Sequence, residues 1–545
     1  MSYTTVKFLL FVAVTAGAYF LFPVKKYKWT VLLAASYAFY LLAGYRYAAF
    51  ILFTTATTYF SALKIASVAA EAKAVLEENK KTWDRDQKKA FKAKVQKRKQ
   101  RIMVLTLVVN FGILVFLKYY NFFAGSLNDV LGSWGIPLSA PTLRLVLPLG
   151  ISFYTFQSMG YVVDVYREKV AAERNFFKIA LFVSFFPQII QGPIGLYDQL
   201  ARQLYEPHAF DFTRFKHGCM LMLWGYFKKM VIADRALVPM QAVLDSYTDF
   251  GGTVLTATVL LYALQLYMDF SGGIDITRGV AQLVGIDMAE NFRRPYFARN
   301  INEYWRRWHM SLGAWMREYV FYPLAVSKTF LNASKKMKKS KFGATNLGAH
   351  VSKVLATSFA SLIVFFLVGV WHGANWKYVG FGLWNGGIIM LSALLEPVFK
   401  SWTVKLKIST ENFFFRLFQM ARTFVVVLIG YVFDIAPDLG SSLRTFRQIL
   451  FDQNFTVGLQ QYRSLNLADQ GFDGWDWGLL GVCTIFIFVV SLIQERNDGT
   501  TIREMLDKKP FLFRLAVITA GIMMILLFGM YGPGFSAAEF VYMQF

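Results

Sequence analysis

Apolar runs long enough to cross a bilayer recur along the whole chain, and this repetition restricts the fold more than any other feature of the sequence. Lipid provides no hydrogen-bond partners for the backbone, so such runs have to be helices, and the alternation typical of barrel strands is absent. The sequence therefore predicts an all-α polytopic membrane protein with about 10–13 membrane helices, re-entrant segments included. The runs lie near residues 5–23, 29–44, 46–63, 102–120, 142–163, 176–196, 218–237, 254–275, 354–371, 376–396, 415–434, 477–493 and 511–531.

The distribution of charge points to a membrane and away from nucleic acid. The net charge is +24, but many of the basic residues lie in two segments between apolar runs, 64–101 and 328–341. Positive segments between spans are typical of cytoplasmic loops, and no nucleic-acid-binding module is present. Since three spans precede 64–101, the N-terminus is predicted to lie outside. Cys219 and Cys483 both lie in apolar runs and suggest neither a disulfide nor a metal site.

Three regions are expected along the chain. Residues 1–122 are predicted to be N-terminal membrane helices with a basic cytoplasmic loop at 64–101, itself expected to form an amphipathic helix. Residues 123–400 form the predicted core, because polar and glycine-rich motifs interrupt its apolar runs. Irregular backbone at membrane depth is tolerated only where it is buried or lines a cavity. Residues 401–545 return to plainer membrane helices and end in an aromatic tail.

One candidate site lies in the segment EYWRRWHMSLGAWMREY, where arginines and a histidine stand among tryptophans and tyrosines. If the segment is one helix, its polar residues share a narrow face, with His309 at the centre. The alternative is an interfacial helix with a tryptophan belt and snorkelling arginines. The stripe comprises Asn302, Arg306, His309, Gly313 and Arg317.

A second candidate site is His372, which follows an apolar run in the motif VWHGANW. A histidine inside a membrane helix is costly unless it faces a cavity, and Asn375 is placed to orient its ring or a substrate. Imidazole titrates near neutral pH and can take a proton from a hydroxyl. The alternative is a core histidine satisfied by one backbone bond. No metal is expected, because two histidines without a carboxylate partner make a poor ligand set.

Several motifs in order resemble those of the membrane-bound O-acyltransferases, and in particular the bacterial branch of alginate O-acetylation and teichoic-acid D-alanylation proteins. The resemblance covers roughly residues 145–390. The segment FSGGIDITRG and the lysine-rich stretch 328–341 depart from the usual pattern and leave the acceptor open. The matching motifs are LPLGISFYTFQSMGYVVDVYR, FFPQIIQGPI, WGYFKKMVIADR, MDFSGGIDITRG, NINEYWRRWHMSL and VWHGANW.

The resemblance implies helices around a tunnel across the membrane, where a thioester from the cytoplasm meets a hydroxyl from the other face. The donor would be acetyl-CoA or an acyl-carrier thioester, with no tightly bound cofactor. His372 would act as the general base or align the hydroxyl, and His309 would assist it. Arg306 and Arg307 would bind the donor phosphates or form the wall. The implied substrate-binding residues are Asn302, Arg306, Arg307, Trp371 and Asn375.

The C-terminus also resembles an aromatic motif of this branch, and by that resemblance Tyr542 would accept the acyl group and pass it to an outer partner. The alternative is an aromatic plug that docks the tail. The implied partner is an SGNH-type protein outside the bacterial cytoplasmic (inner) membrane, and the implied final acceptor is a polysaccharide. The alternatives are D-alanyl transfer from a carrier protein to teichoic acid, with the lysine-rich segments as its docking site, and a transporter or channel.

Overall fold

The computed structural model describes residues 3–189, 191–497 and 499–532, and within these ranges the chain is helical and contains no β-strand. The chain divides into two compact units, Met1–Met222 with Thr277–Ala289, and Leu223–Ile276 with Glu290–Phe545. The prediction of an all-α polytopic membrane fold is confirmed. The three-region division remains a prediction.

The first nine helices have the following bounds: α1 (Val6–Leu21), α2 (Lys28–Ala43), α3 (Ala48–Glu78), α4 (Arg85–Ser133), α5 (Ile151–Tyr166), α6 (Phe176–Ser184), α7 (Phe186–Ile189), α8 (Tyr197–Tyr205) and α9 (Phe212–Tyr226). A π-helix, Phe227–Ala233, continues directly from α9.

The remaining helices are α10 (Asp234–Asp245), α11 (Gly252–Leu283), α12 (Ile301–Arg307), α13 (Met310–Met316), α14 (Tyr322–Ala325), α15 (Lys328–Lys338), α16 (Asn346–His372), α17 (Trp376–Leu394), α18 (Glu396–Lys405), α19 (Phe413–Ile435), α20 (Leu439–Phe451), α21 (Phe455–Arg463), α22 (Gly474–Arg496), α23 (Ile502–Asp507) and α24 (Phe511–Phe528). A second π-helix, Arg317–Phe321, joins α13 to α14.

Seven helices of the described ranges are long and apolar enough to cross a membrane, and an eighth span results if α17 and α18, bent by 59°, count as one. The seven are α3 with its preceding turn, α4, α11, α16, α19, α22 and α24. Other apolar runs of the sequence form shorter helices, such as α5 with 16 residues and α6 with 9. Gly150, in the left-handed conformation at φ +68°, precedes α5, and Pro187 follows α6 within a separate short helix.

In the first unit, the basic segment 64–101 is helical as expected but is not a separate helix. It consists of the end of α3 and the start of α4, joined by the short turn 79–84. Asp84 caps α4 through a capping box with Gln87, and the alanines, lysines and glutamates on both sides are good helix formers. The side of the membrane on which the segment lies stays a prediction.

In the second unit, α16 and α17 form a tight antiparallel hairpin. A Cβ atom on Gly369 of α16 would lie 2.9 Å from the Cα atom of Gly382 and 2.3 Å from the carbonyl oxygen of Tyr378, both on α17. The two backbones approach this closely only because glycine has no side chain. The hairpin fixes the connection 373–375 and therefore the residue that precedes it, His372.

Two adjacent lysines of the first π-helix form ion pairs with acidic residues at the start of α10 and within α11. Lys229 Nζ lies 2.7 Å from a carboxylate oxygen of Asp234 and 2.6 Å from one of Asp269, and all three side chains are at most 3% exposed. Lys228 Nζ lies 2.7 Å from Asp275, which is 15% exposed. Charges this deeply buried need their partners, so these pairs tie the π-helix to α11.

Candidate active site

His372 ends α16 and lines a cavity of the second unit. The residue is partly exposed, and its ring lies 5.3 Å from the ring of Phe381, centroid to centroid. The cavity is narrow, with about 20 Å³ available to the centre of a water molecule. A volume of this size holds about one water. The His372 side chain therefore borders an internal space. Other residues of the wall are Tyr262, Trp305, Asn385, Tyr431 and Asp434.

The predicted polar stripe around His309 is wrong, because the segment is not one helix. Helix α12 ends at Arg307, His309 adopts the left-handed conformation at φ +44°, and α13 begins after it. The break turns His309 inward to 2% exposure, while Asn302 and Arg306 are exposed. Left-handed backbone is unfavourable for a non-glycine residue by about 1–2 kcal/mol, so the surrounding contacts must impose it.

Asn291 is the residue that holds this break. Its side-chain oxygen accepts a hydrogen bond from the Ser311 N–H (2.9 Å) and lies 3.3 Å from His309 Nδ1, while its carbonyl oxygen accepts from the Met310 N–H (3.0 Å). Burial lowers the pKa of His309, which lies outside the seven spans, well below the ordinary histidine value, and His372 lowers it further. The His309 ring is therefore neutral at physiological pH.

Trp371 connects the two predicted catalytic histidines. Its ring centroid lies 5.9 Å from that of His309 and 5.2 Å from that of His372, and the indole is buried. The His309 ring is also perpendicular to the Phe270 ring, with centroids 4.9 Å apart. The structure thus brings both histidines to one aromatic cluster, with Trp371 between them.

The two arginines of α12 have different surroundings. Arg307 donates to both carboxylate oxygens of Glu495, at 3.0 and 2.9 Å, and to Glu303 at 2.7 Å. Arg294 pairs with the same Glu495. Arg306 is exposed and forms no ion pair with a described residue. Arg307 is thus occupied within the protein, whereas the guanidinium of Arg306 points outward.

Asn375 has a structural role in this conformation. It caps α17 by accepting from the Lys377 N–H at 3.0 Å, and its amide nitrogen donates to the Pro437 carbonyl at 3.3 Å. The predictions for substrate binding by Asn302, Arg306, Arg307, Trp371 and Asn375 remain predictions. Tyr542 lies outside the described residues. Within the described ranges, no group of three or more histidine, cysteine or acidic side chains is placed to hold a metal ion.

Sequence reasoning missed the polar groups that surround the cavity. The hydroxyls of Tyr304 and Tyr431 lie 2.8 Å apart, and Trp305 Nε1 donates to the Asn385 side-chain oxygen at 3.2 Å. Asp434 completes this set at the end of α19. The available signal was a polar residue within an apolar run, as for Asn385 and Asp434, because such residues usually face a cavity.

The sequence is similar to that of known membrane-bound O-acyltransferases. The profile of the MBOAT family, the membrane-bound O-acyltransferases, matches residues 48–338. The "Probable alginate O-acetylase AlgI" of Pseudomonas aeruginosa is 31% identical over 503 residues, which are 90% of this chain and 81% of that protein. The peptidoglycan O-acetyltransferase of Helicobacter pylori is 29% identical, over 77% of this chain and 72% of its own.

The teichoic acid D-alanyltransferase of Bacillus subtilis is 27% identical, over 54% of this chain and 71% of its own. The predictions of an O-acyltransferase and of a multi-pass membrane protein are thereby confirmed. The family profile spans more than half of the 545 residues, and relatives align over up to 90% of them. The chain therefore belongs to the membrane-bound O-acyltransferase family.

Proposed function

We propose that the chain transfers an acetyl group from a cytoplasmic thioester, acetyl-CoA, to a hydroxyl that arrives from the extracytoplasmic side, for O-acetylation of a cell-wall or secreted polysaccharide. The protein would lie in the bacterial cytoplasmic membrane with its N-terminus outside. The observation that carries the proposal is the His372 side chain on an aromatic cavity that also contains the polar groups of Asn385 and Asp434. Relatives named as O-acetylases support acetyl, because they align with more of the chain than those named for D-alanyl transfer.

In the proposed reaction, His372 removes the proton of the acceptor hydroxyl while the oxygen bonds to the thioester carbonyl carbon. The carbon–sulfur bond then breaks, and the thiolate takes the proton from the imidazolium. One ester and one thiol thus replace one hydroxyl and one thioester. Because both reactants meet at one point, the acetyl group crosses the membrane and the bulk of the donor does not.

His309 assists through the aromatic cluster, where its neutral ring contacts Trp371, which in turn contacts His372. Arg306 is the better of the two arginine candidates for the donor phosphates, since Arg307 is already paired with Glu303 and Glu495. A phosphate would find the exposed Arg306 guanidinium available for charge-assisted hydrogen bonds.

Two further elements of the proposal lie beyond the cavity. An extracytoplasmic SGNH-type partner completes acetylation of the polysaccharide in the cell. Tyr542 serves as an acyl relay to the outer face, because a phenol leaves more readily than an alcohol. D-alanyl transfer from a carrier protein to teichoic acid is the second candidate, supported by the relative of that name in Bacillus subtilis.

The test uses purified full-length protein in detergent with acetyl-CoA labelled in its acetyl group, and it measures CoA release and labelled ester. His372→Ala is expected to lower ester formation by about 100-fold or more, the range for losing a general base. His350→Ala is the matched control, because His350 lies on the same α16, about 33 Å away at 1.5 Å per residue. Ester formation by His372→Ala at the wild-type rate would refute the role of the imidazole.

A parallel arm offers a D-alanyl thioester of a carrier protein in place of acetyl-CoA. Transfer from the carrier alone would replace the acetyl proposal by the second candidate. No transfer from either donor would refute both.

A further inference from the structure

Helix α4 has basic side chains of two kinds just before its apolar part begins. Arg98 lies 3.7 Å from a glutamate of α3, and Lys99 Nζ lies 2.6 Å from Glu168, so both are paired within the first unit. Lys97 and Arg101 are exposed and form no ion pair with a described residue. This turn of the helix therefore directs two of its charges into the protein and two away from it.

The outward side of this turn continues into an apolar stripe. Basic and amide side chains lie at one end of an open groove along α4, and apolar side chains lie at the other. The groove is lined by Lys97, Gln100, Arg101, Val104, Leu105 and Val108. Their spacings of three and four residues place them on one face of the helix. The three apolar side chains are 43%, 65% and 62% exposed, and in a membrane span such surface faces lipid chains.

The position of Arg101 along α4 matches the edge of a bilayer. Residues 102–117 contain no charged side chain, and the next one is Lys118. Lys118 follows Arg101 by 17 residues, which is about 26 Å at 1.5 Å per residue and close to the hydrocarbon thickness of about 30 Å. The basic end of the groove therefore lies at the level of lipid headgroups, and its apolar end at the level of acyl chains.

The chemistry of the groove suits a lipid with a net negative headgroup. The guanidinium of Arg101 can donate two parallel hydrogen bonds to phosphate oxygens, while Lys97 adds a point charge and Gln100 an amide donor. A zwitterionic headgroup also has a phosphate, but its own cation is repelled by the same two side chains. An anionic phospholipid is therefore the better match in charge, and its chains match the apolar stripe.

We propose that this groove of α4 binds one anionic phospholipid, with the phosphate on Lys97 and Arg101 and an acyl chain along the three apolar side chains. The bound lipid holds this turn of α4 at the level of the headgroups. The inference goes beyond the proposed function and does not depend on it, since it holds for any donor and acceptor of the acyl group.

The experiment locates the lipid by photo-crosslinking. Full-length protein in detergent receives a trace of phosphatidylglycerol with a photoactivatable group in its acyl chain, and mass spectrometry measures labelling of the segment 102–118. Unlabelled phosphatidylglycerol or phosphatidylcholine with the same chains then competes. In wild type, phosphatidylglycerol is expected to compete at about 30-fold lower concentration, because each of the two basic side chains favours an anionic lipid by about 5-fold.

Two double variants that remove the same charge are compared. Lys97→Gln with Arg101→Gln removes the proposed phosphate contacts and should bring the two competing concentrations to within about 2-fold of each other. Lys89→Gln with Lys92→Gln removes two exposed charges of α4 at least about 14 Å from Arg101, which exceeds the screening length of about 8–10 Å. This variant should retain most of the preference. All four side chains are exposed, so both variants should unfold within a few degrees of wild type.

Four results would overturn the inference. Equal competition by both lipids in wild type would show that the groove does not recognise the headgroup. An equal loss of preference in both double variants would assign it to the general charge of α4. Competition by glycerol 3-phosphate at the concentration of phosphatidylglycerol would indicate a site for soluble phosphate. No labelling of the segment 102–118 would show that another occupant, such as a second copy of the chain, covers this face.

Discussion

Replacing Lys229 by methionine probes how strongly the buried charges hold the second unit together. The substitution keeps the length of the side chain and leaves the carboxylates of Asp234 and Asp269 facing each other at no more than 3% exposure. Removing one partner of a buried ion pair destabilises a protein by about 3–5 kcal/mol, because the remaining charge is uncompensated. For a domain of this size the melting temperature should fall by on the order of 10 °C.

The assay is thermal unfolding of the purified protein in detergent, followed by size-exclusion chromatography with fluorescence detection. Lys228→Met is the matched control. Its partner Asp275 is 15% exposed, so water can stabilise the carboxylate that remains. The melting temperature should therefore fall less than in Lys229→Met. The triple variant Lys229→Met, Asp234→Asn, Asp269→Asn removes the buried negative charge and should regain most of the lost stability. Equal melting temperatures for both single variants would contradict the reasoning, and so would a triple variant that melts no higher than Lys229→Met.

Three further predictions concern the hairpin, the arginines and the tail. Gly369→Ala should lower the melting temperature, since its Cβ would lie 2.3 Å from a backbone oxygen, whereas Gly387→Ala, with nothing within 4 Å, should leave it unchanged or raise it. Arg307→Gln should lower the melting temperature by breaking its carboxylate pairs, while Arg306→Gln should leave it unchanged and raise the KM for acetyl-CoA. If both arginine variants alter only stability, the phosphate role of Arg306 is wrong. Tyr542→Phe should reduce polysaccharide acetylation in cells to background, and wild-type levels would end the relay hypothesis.

The fold class was predictable because the apolar content of the spans is a local property of the sequence. Helices α4, α16, α22 and α24 are each recognisable from one apolar run. The number of full spans was less predictable, because α5 and α6 are apolar without being long. Length in this part of the chain is decided by Gly150 and Pro187, single residues that interrupt helices and barely alter the apolar content around them.

The site was predictable at His372, where a histidine next to an apolar run already indicates a cavity. The surroundings of His309 were not, because helical periodicity assumes an unbroken helix. The break depends on Asn291, which lies 18 residues earlier in the chain and reaches His309 only through tertiary contacts. Asp434 stands in an apolar run, which was a signal, but most of the residues that share its cavity come from other helices. Contacts distant in sequence leave no periodic signal.

Helix α4 is longer than is needed to cross a membrane. At 1.5 Å per residue, its 49 residues extend about 74 Å, while the hydrocarbon layer measures about 30 Å. Much of the helix therefore projects beyond the lipid, where its first turns follow the C-terminal end of α3. The projecting part is a continuous helix rich in lysine, and it would repel positively charged neighbours from the membrane surface. Deleting whole helical turns would keep each face of the helix pointing in the same direction. Only the length of helix beyond the lipid would change.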